Sequence, residues 1–186
     1  MRLLAIVLVL VLAGGGGALA FRAHEGRIRE QHRLAPVAST IAGRSVGVRC
    51  PNLLKKLTHV GGELGSVQFD ASGRPADHTD LAPETCKALA GFDGLRWDPA
   101  IAEAVHTLAH ESFHLRGIRD EATADCYALQ TDAYVAERLG APPADARALA
   151  RWYLVSAYPY KPEEYHSSEC RNGGALDLQP ANAAWP

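Results

Sequence analysis

Apolar and polar residues divide the chain into segments of different character, and the first twenty are the most apolar. An unbroken apolar run from Leu3 to Ala13 follows a single positive charge at Arg2. Ala18-Leu19-Ala20 then has the small-x-small pattern that signal peptidase accepts. The 18 residues from Leu3 to Ala20 are also just long enough to cross a bilayer as a helix. Residues 1–20 are therefore predicted to be a signal peptide or an N-terminal membrane anchor, and either places the rest of the chain outside the cytoplasm.

The next segment, residues 21–45, is polar, rich in arginine and without a clear core-facing periodicity. Such a pattern predicts a stalk or a loosely held helix. Apolar alternation begins at Val46 and Val48, as in a short strand, and Gly65–Phe69 is a second strand candidate. The folded domain is therefore predicted to span residues 46–186.

Helix signals dominate the remainder of the chain. Asp98-Pro99 is typical of a helix start and Gly117 of a helix end, so a helix is predicted from Ile101 to Arg116. The other predicted helices are Pro51–Leu57, Pro83–Ala90, Asp120–Leu139 and Ala144–Ala157, and the tail from Pro159 to Pro186 is predicted to be irregular. The predicted fold is α+β, dominated by helices, with a small sheet.

Charge and cysteine content narrow the classes of function. The net charge of −2 and the lack of basic clusters argue against a nucleic-acid partner. The four cysteines are an even number, which in an exported chain predicts two disulfide bonds. No two of these cysteines have the C-x-x-C spacing of a thiolate zinc site. Three pairings are possible, and we favour the sequential one, Cys50 with Cys86 and Cys126 with Cys170.

Two histidines on the predicted helix indicate a metal site. The sequence reads His110-Glu111-Ser112-Phe113-His114, and residues four apart lie on one face of a helix, so both imidazoles can bind one ion. Glu111 can hydrogen-bond a water on that ion and take its proton as the water attacks a carbonyl. We therefore predict Zn²⁺ as the cofactor, His110 and His114 as ligands, and Glu111 as the general base.

This H-E-x-x-H motif resembles that of the zincin metallopeptidases. The resemblance covers residues 99–139 and implies a minimal zincin-like domain within residues 46–186. It also implies hydrolysis of peptide bonds, with a peptide or protein substrate as the partner.

The resemblance leaves two residues for the third ligand. Asp120 completes H-E-x-x-H-x-x-G-x-x-D, which is similar to the metzincin motif, although the only methionine available for a methionine turn is Met1. Glu121 with Asp125 is similar to the gluzincin arrangement, in which the Glu binds zinc and the Asp orients a ligating histidine. We favour Glu121 as the ligand, because Asp120 is well placed as the N-cap of the following helix.

Residues around the motif carry weaker signals. His106, one turn before His110, is expected to pack beside the site, and the aromatic residues of the tail are expected to make anchoring contacts. In zincins an edge strand binds the substrate backbone, so Gly65–Phe69 is either that strand or an ordinary sheet strand. The alternatives for function are a non-catalytic zincin-like binding or structural module at the cell surface, an aspartate-ligand protease, and a helical domain without metal. The aromatic tail residues expected to make anchoring contacts are Tyr158, Tyr160, Tyr165 and His166.

Overall fold

The computed structural model describes residues 2–51, 62–181 and 185, and for residues 2–20 it describes the backbone alone. The helix predicted from Pro51 to Leu57 falls on the gap and lies outside the described residues, as do the side chains of the predicted signal peptide or anchor. In the part of the chain whose side chains are described, no helix is both long and apolar enough to cross a membrane.

The fold is α+β and dominated by helices, which confirms the predicted class. The helices are α1 (Arg2–Ala42), α2 (Pro83–Gly91), α3 (Pro99–Arg116), α4 (Glu121–Leu129), α5 (Asp132–Arg138) and α6 (Pro143–Ser156). The strands are β1 (Gly47–Arg49), β2 (Gly65–Ser66) and β3 (His78–Leu81). The tail contains two single-turn 3-10 helices, Tyr158–Tyr160 and Glu163–Tyr165, and is otherwise irregular, as predicted.

The three strands form one small sheet beside α3. β3 is its central strand, parallel to β1 and antiparallel to β2. Val48, Thr79 and Leu81 are buried, so the sheet packs one face on the core. The strand predicted over Gly65–Phe69 is shorter than expected, since Phe69 forms only an isolated bridge. Among the described strands, β2 lies at an edge and has one neighbour.

Helix α3 is the central element of the core, since the sheet and the other five described helices pack around or next to it. Its start and end are those predicted, because Asp98 accepts a 2.9 Å hydrogen bond from the amide of Ile101 and Gly117 closes the helix in a left-handed conformation. Every residue from Ala104 to Leu115 is buried. The polar side chains of α3 therefore lie in a low-dielectric interior.

The single helix predicted from Asp120 to Leu139 is divided into α4 and α5. At the break, the Thr131 hydroxyl donates to the carbonyls of Tyr127 and Ala128. These side-chain bonds compete with the backbone bonds that would continue the helix. The following helix, α6, lies within one residue of its predicted bounds.

Residues 21–45 differ from the predicted stalk. They are helical as far as Ala42, and Leu34, Val37 and Ile41 are buried in the core. The spacing of these three residues is that of one helix face, and it was hidden in the sequence by the arginines around it. The packed domain therefore begins before residue 46.

Both disulfide bonds have the favoured connectivity. Cys50 is bonded to Cys86, which joins the end of β1 to α2. Cys126 is bonded to Cys170, which fastens the irregular tail to α4. The sequential pairing is confirmed, and it holds the tail against the helix that carries Glu121.

Candidate metal centre

Two helices and one tight turn bring the predicted ligands together. His110 and His114 lie one turn apart on one face of α3. The chain then turns at Gly117, whose φ is 107°, and α4 begins at Glu121. A residue with a Cβ rarely adopts this φ, so the glycine permits the short connection. Because α4 packs against α3, the carboxylate of Glu121 faces both imidazoles.

The three side chains point one donor atom each at a common centre. His110 Nε2 lies 2.8 Å from His114 Nε2, and Glu121 Oε2 lies 3.0 Å from the first and 3.3 Å from the second. Ligands about 2.0 Å from a tetrahedral zinc ion are about 3.3 Å apart. The spacing of the donor atoms is therefore close to that of three corners of a zinc site.

The hydrogen-bond partners of the two imidazoles are compatible with a cation at this centre. His114 Nδ1 lies 2.7 Å from the carbonyl oxygen of Ile118, which can only accept, so this nitrogen carries the proton. His110 Nδ1 faces Asp125 Oδ1 at 3.3 Å, an ion-pair distance that favours the proton there. Both Nε2 atoms can then direct lone pairs at a cation, whereas in the metal-free protein a proton on either one can be donated to Glu121. Three electron-pair donors this close fit a bound cation.

Glu121 rather than Asp120 completes the group of potential ligands. The His110 and His114 side chains lower the pKa of Glu121 well below its usual range, so its carboxylate is ionised. Asp120 instead caps α4, where its Oδ1 accepts from the amide and the hydroxyl of Thr123 at 2.8 and 2.6 Å. Asp120 is thus the helix cap, and Glu121 is the neighbour whose carboxylate faces the two imidazoles.

Glu111 lies beside the donor atoms, at the bottom of an open cleft. Its side chain is buried, and burial raises its pKa to about 7. Its Oε2 has no hydrogen-bond partner among the described residues. A Cβ placed on Gly65 of β2 would lie 2.7 to 2.9 Å from Glu111 side-chain atoms, so only glycine leaves room for this carboxylate. Glu111 therefore has a pKa close to neutral pH and one carboxylate oxygen without a hydrogen bond to the described residues.

A buried charged cluster supports the metal centre from behind. His106 lies between two carboxylates, with Nε2 2.9 Å from Asp125 Oδ1 and Nδ1 3.0 Å from Asp132 Oδ2, and its ring stacks on Tyr153. Burial alone would lower the pKa of His106, but Asp132 and Asp125 outweigh it and raise the pKa to about 9. His106 packs beside the site as predicted, and it does so as an imidazolium.

Lys161 of the tail completes this cluster. Its ammonium donates to Asp125 Oδ1 and lies 3.4 Å from His106 Nε2. A second group of potential ligands, formed by His106, His110 and Asp125, shares these atoms. Lys161 lies against Asp125, so its ammonium already supplies a positive charge to this second group. Asp125 Oδ1 also lies 3.3 Å from His110 Nδ1, close enough for the orienting role predicted for it.

Sequence reasoning missed Asp132 and Lys161. Asp132 follows Asp125 by seven residues, a spacing that places both on one face of a helix. This spacing was a local signal that the two carboxylates could contact the same residue, which is His106. Lys161 carried no such signal, because it lies in an irregular tail whose path depends on the Cys126–Cys170 bond.

The cleft above the site has a volume of about 360 Å³. One wall is β2 with its continuation to Phe69, and the other includes Tyr165, whose ring centre is 5.8 Å from that of His110. A smaller cavity of about 260 Å³ adjoins it and reaches Lys161. The larger cleft is lined by Glu111 and by the three residues that carry the donor atoms.

The other aromatic residues of the tail lie away from the donor atoms. Tyr160 is 85% exposed, and Tyr158 packs against His166 with ring centres 4.6 Å apart. His166 donates to the carbonyl of Lys161 and so stabilises the conformation of the tail.

No protein-family model, curated protein or solved structure matches the chain, so its chemistry is inferred from the geometry of the site.

Proposed function

We propose that this protein is a zinc-dependent metallopeptidase that acts outside the cytoplasm. The observation that carries the proposal is the convergence of His110, His114 and Glu121 on one centre. Beside it lies Glu111, whose Oε2 has no hydrogen-bond partner among the described residues. Three protein ligands leave a fourth position open, which is the arrangement of catalytic rather than structural zinc.

The residues of the chain have separate tasks in the proposed reaction. When bound, zinc supplies a Lewis acid that polarises a carbonyl and acidifies a water. Glu111 takes the proton of the attacking water and delivers it to the leaving amine, for which a pKa near 7 is well suited. Asp125 holds His110 in the orientation that directs Nε2 at the centre.

The edge strand gives the substrate a place to bind. β2 lies along the cleft next to Glu111, and among described strands it pairs only with β3. We propose that an extended peptide adds to the edge formed by β2 and residues 67–69, which would carry a backbone carbonyl past Glu111. Specific side chains of the peptide would then contact the cleft walls.

Two disulfide bonds indicate an oxidising, extracytoplasmic environment. We propose that residues 1–20 deliver the chain there, as a signal peptide or as an anchor. A fractionation of cells that separates secreted from membrane-bound protein distinguishes the two.

Substituting Glu111 by Gln tests the proposed function. We expect purified protein to hold one zinc ion, and Glu111→Gln to keep that zinc while peptide cleavage falls at least about a hundredfold, because the general base is lost. His114→Ala should lose the zinc itself. Zinc content and the rate of cleavage of a quenched-peptide library measure both effects.

The exposed Glu137→Gln on α5 is the matched control and should match the wild type. Bound zinc with no cleavage of any peptide by the wild type would favour a non-catalytic binding or structural module. Absence of bound metal would favour the metal-free helical domain.

A further inference from the structure

Arg119 is the only lysine or arginine among the described residues that line the metal-site cleft. It lies in the turn between the two helices that carry the ligands. Its guanidinium carbon lies 5.5 Å from the ring centre of Phe69, and that ring meets His114 edge-on at 6.3 Å. Two side-chain contacts therefore connect the guanidinium to the metal centre.

This guanidinium makes no ion pair within the described part of the chain. The acidic residues nearest in sequence are already engaged, Asp120 as helix cap and Glu121 with the histidines. Contact with the Phe69 ring limits the conformations of Arg119, so less entropy is lost when it binds a partner. The cleft thus contains an exposed guanidinium that makes no hydrogen bond to the described residues.

We propose that Arg119 is a specificity-determining residue that selects peptides with a carboxylate close to the scissile bond. This inference rests on the proposed peptidase function. The guanidinium carbon is at most about 12 Å from the His114 ring centre, which corresponds to about one to three residues of extended peptide. The carboxylate is either an acidic side chain or the free C-terminus, since guanidinium pairs with both through two parallel hydrogen bonds.

The sharpest test measures binding without turnover. Zinc-loaded Glu111→Gln protein is titrated with fluorescent octapeptides in which one Glu is moved through every position, each paired with the Gln peptide. Each peptide is made with a free and with an amidated C-terminus. At one or more positions, or at the free C-terminus, we expect the carboxylate to lower Kd about tenfold, an advantage that decreases with added salt.

Three second substitutions in the Glu111→Gln protein identify the residue responsible. Arg119→Gln should remove the advantage, and Arg119→Glu should transfer it to peptides with Lys at the same position. Arg116→Gln should leave it unchanged, because Arg116 is also exposed but lies outside the cleft. An advantage that survives Arg119→Gln, or no advantage at any position, overturns the inference.

Cleavage by the wild type separates this inference from the proposed function. Cleavage of Glu and Gln peptides at equal rates would contradict the role of Arg119 while supporting the peptidase. Arg119-dependent binding without cleavage of any peptide would support the carboxylate site and contradict the peptidase.

Discussion

The position of Glu111 depends on a residue that has no side chain. Gly65 of β2 lies so close that an added Cβ would meet three atoms of the glutamate side chain. The three atoms nearest to that Cβ all belong to Glu111 and none to His110 or His114. A single methyl group at residue 65 therefore affects the proposed general base and not the metal.

We accordingly expect Gly65→Ala to reduce peptide cleavage at least about tenfold while zinc content stays at the wild-type level, since displacement of a catalytic group by about 1 Å is costly. Zinc analysis and kcat/KM on one peptide measure the two effects. Gly91→Ala is the control, because nothing lies within 4 Å of a Cβ at that position. Equal activity of Gly65→Ala and wild type would show that Glu111 is not fixed by this contact.

The buried imidazolium of His106 makes the stability of the metal-free protein depend on pH. Its pKa is about 9 in the folded protein and about 6.5 when unfolded. The folded state therefore binds the proton more tightly, and the stabilisation is complete below pH about 6.5 and is lost as pH rises through about 9. We expect the free energy of unfolding to fall by roughly 3 kcal/mol across this window.

Urea unfolding of metal-free protein at a series of pH values, with the disulfide bonds intact, measures this loss. His106→Gln should unfold more easily at pH 6 and show a shallower dependence on pH. His24→Gln, at an exposed histidine of α1, should retain the wild-type dependence. A flat profile in the wild type would contradict the assigned charge of His106.

Much of the site was predictable at this scale because its signals are local. His110, His114 and Glu121 lie within two successive helices, and the cap of Asp120 distinguishes it from the ligand next to it. Lys161 was not predictable, because its contact with Asp125 joins residues 36 positions apart through an irregular tail. Local spacing indicates the candidate ligands, whereas tertiary packing determines the charges that surround them.

At the scale of elements, helix ends were easier to predict than helix burial. Asp98, Gly117 and Pro143 mark the observed ends of α3 and the start of α6. The core-facing residues of α1 were missed, because polar residues such as Arg33 interrupt the apolar positions in the sequence. In the folded protein that arginine donates a 2.6 Å hydrogen bond to the Leu89 carbonyl of α2, so it belongs to the packed domain.

Two alanine substitutions on α1 test whether the helix is part of the core. Leu34 is fully buried and Ile28 is 37% exposed. We expect Leu34→Ala to lower the free energy of unfolding by about 3 kcal/mol, because it leaves a cavity, and Ile28→Ala by less than about 1 kcal/mol. Urea unfolding followed by circular dichroism gives both values. Equal small effects would show that α1 is the loose stalk first expected.

At the scale of the whole molecule, the two disulfide bonds lie one after the other along the chain and do not interleave. The first closes a loop that contains β2, and the second closes a loop that contains Lys161 and Tyr165. Helix α3 belongs to neither loop. Each wall of the cleft is therefore covalently tethered on its own side, with the helix that carries both histidines between them.

The cleft therefore has three parts: two walls, each within a loop closed by a disulfide bond, and helix α3 between them. Opening the loop that contains β2 would loosen the proposed docking edge and leave the contact between Asp125 and Lys161 intact. Opening the other loop would release the lysine and leave the docking edge intact. The proposed docking edge and the charges around the histidines are thus held by separate disulfide bonds, so each can be weakened without the other.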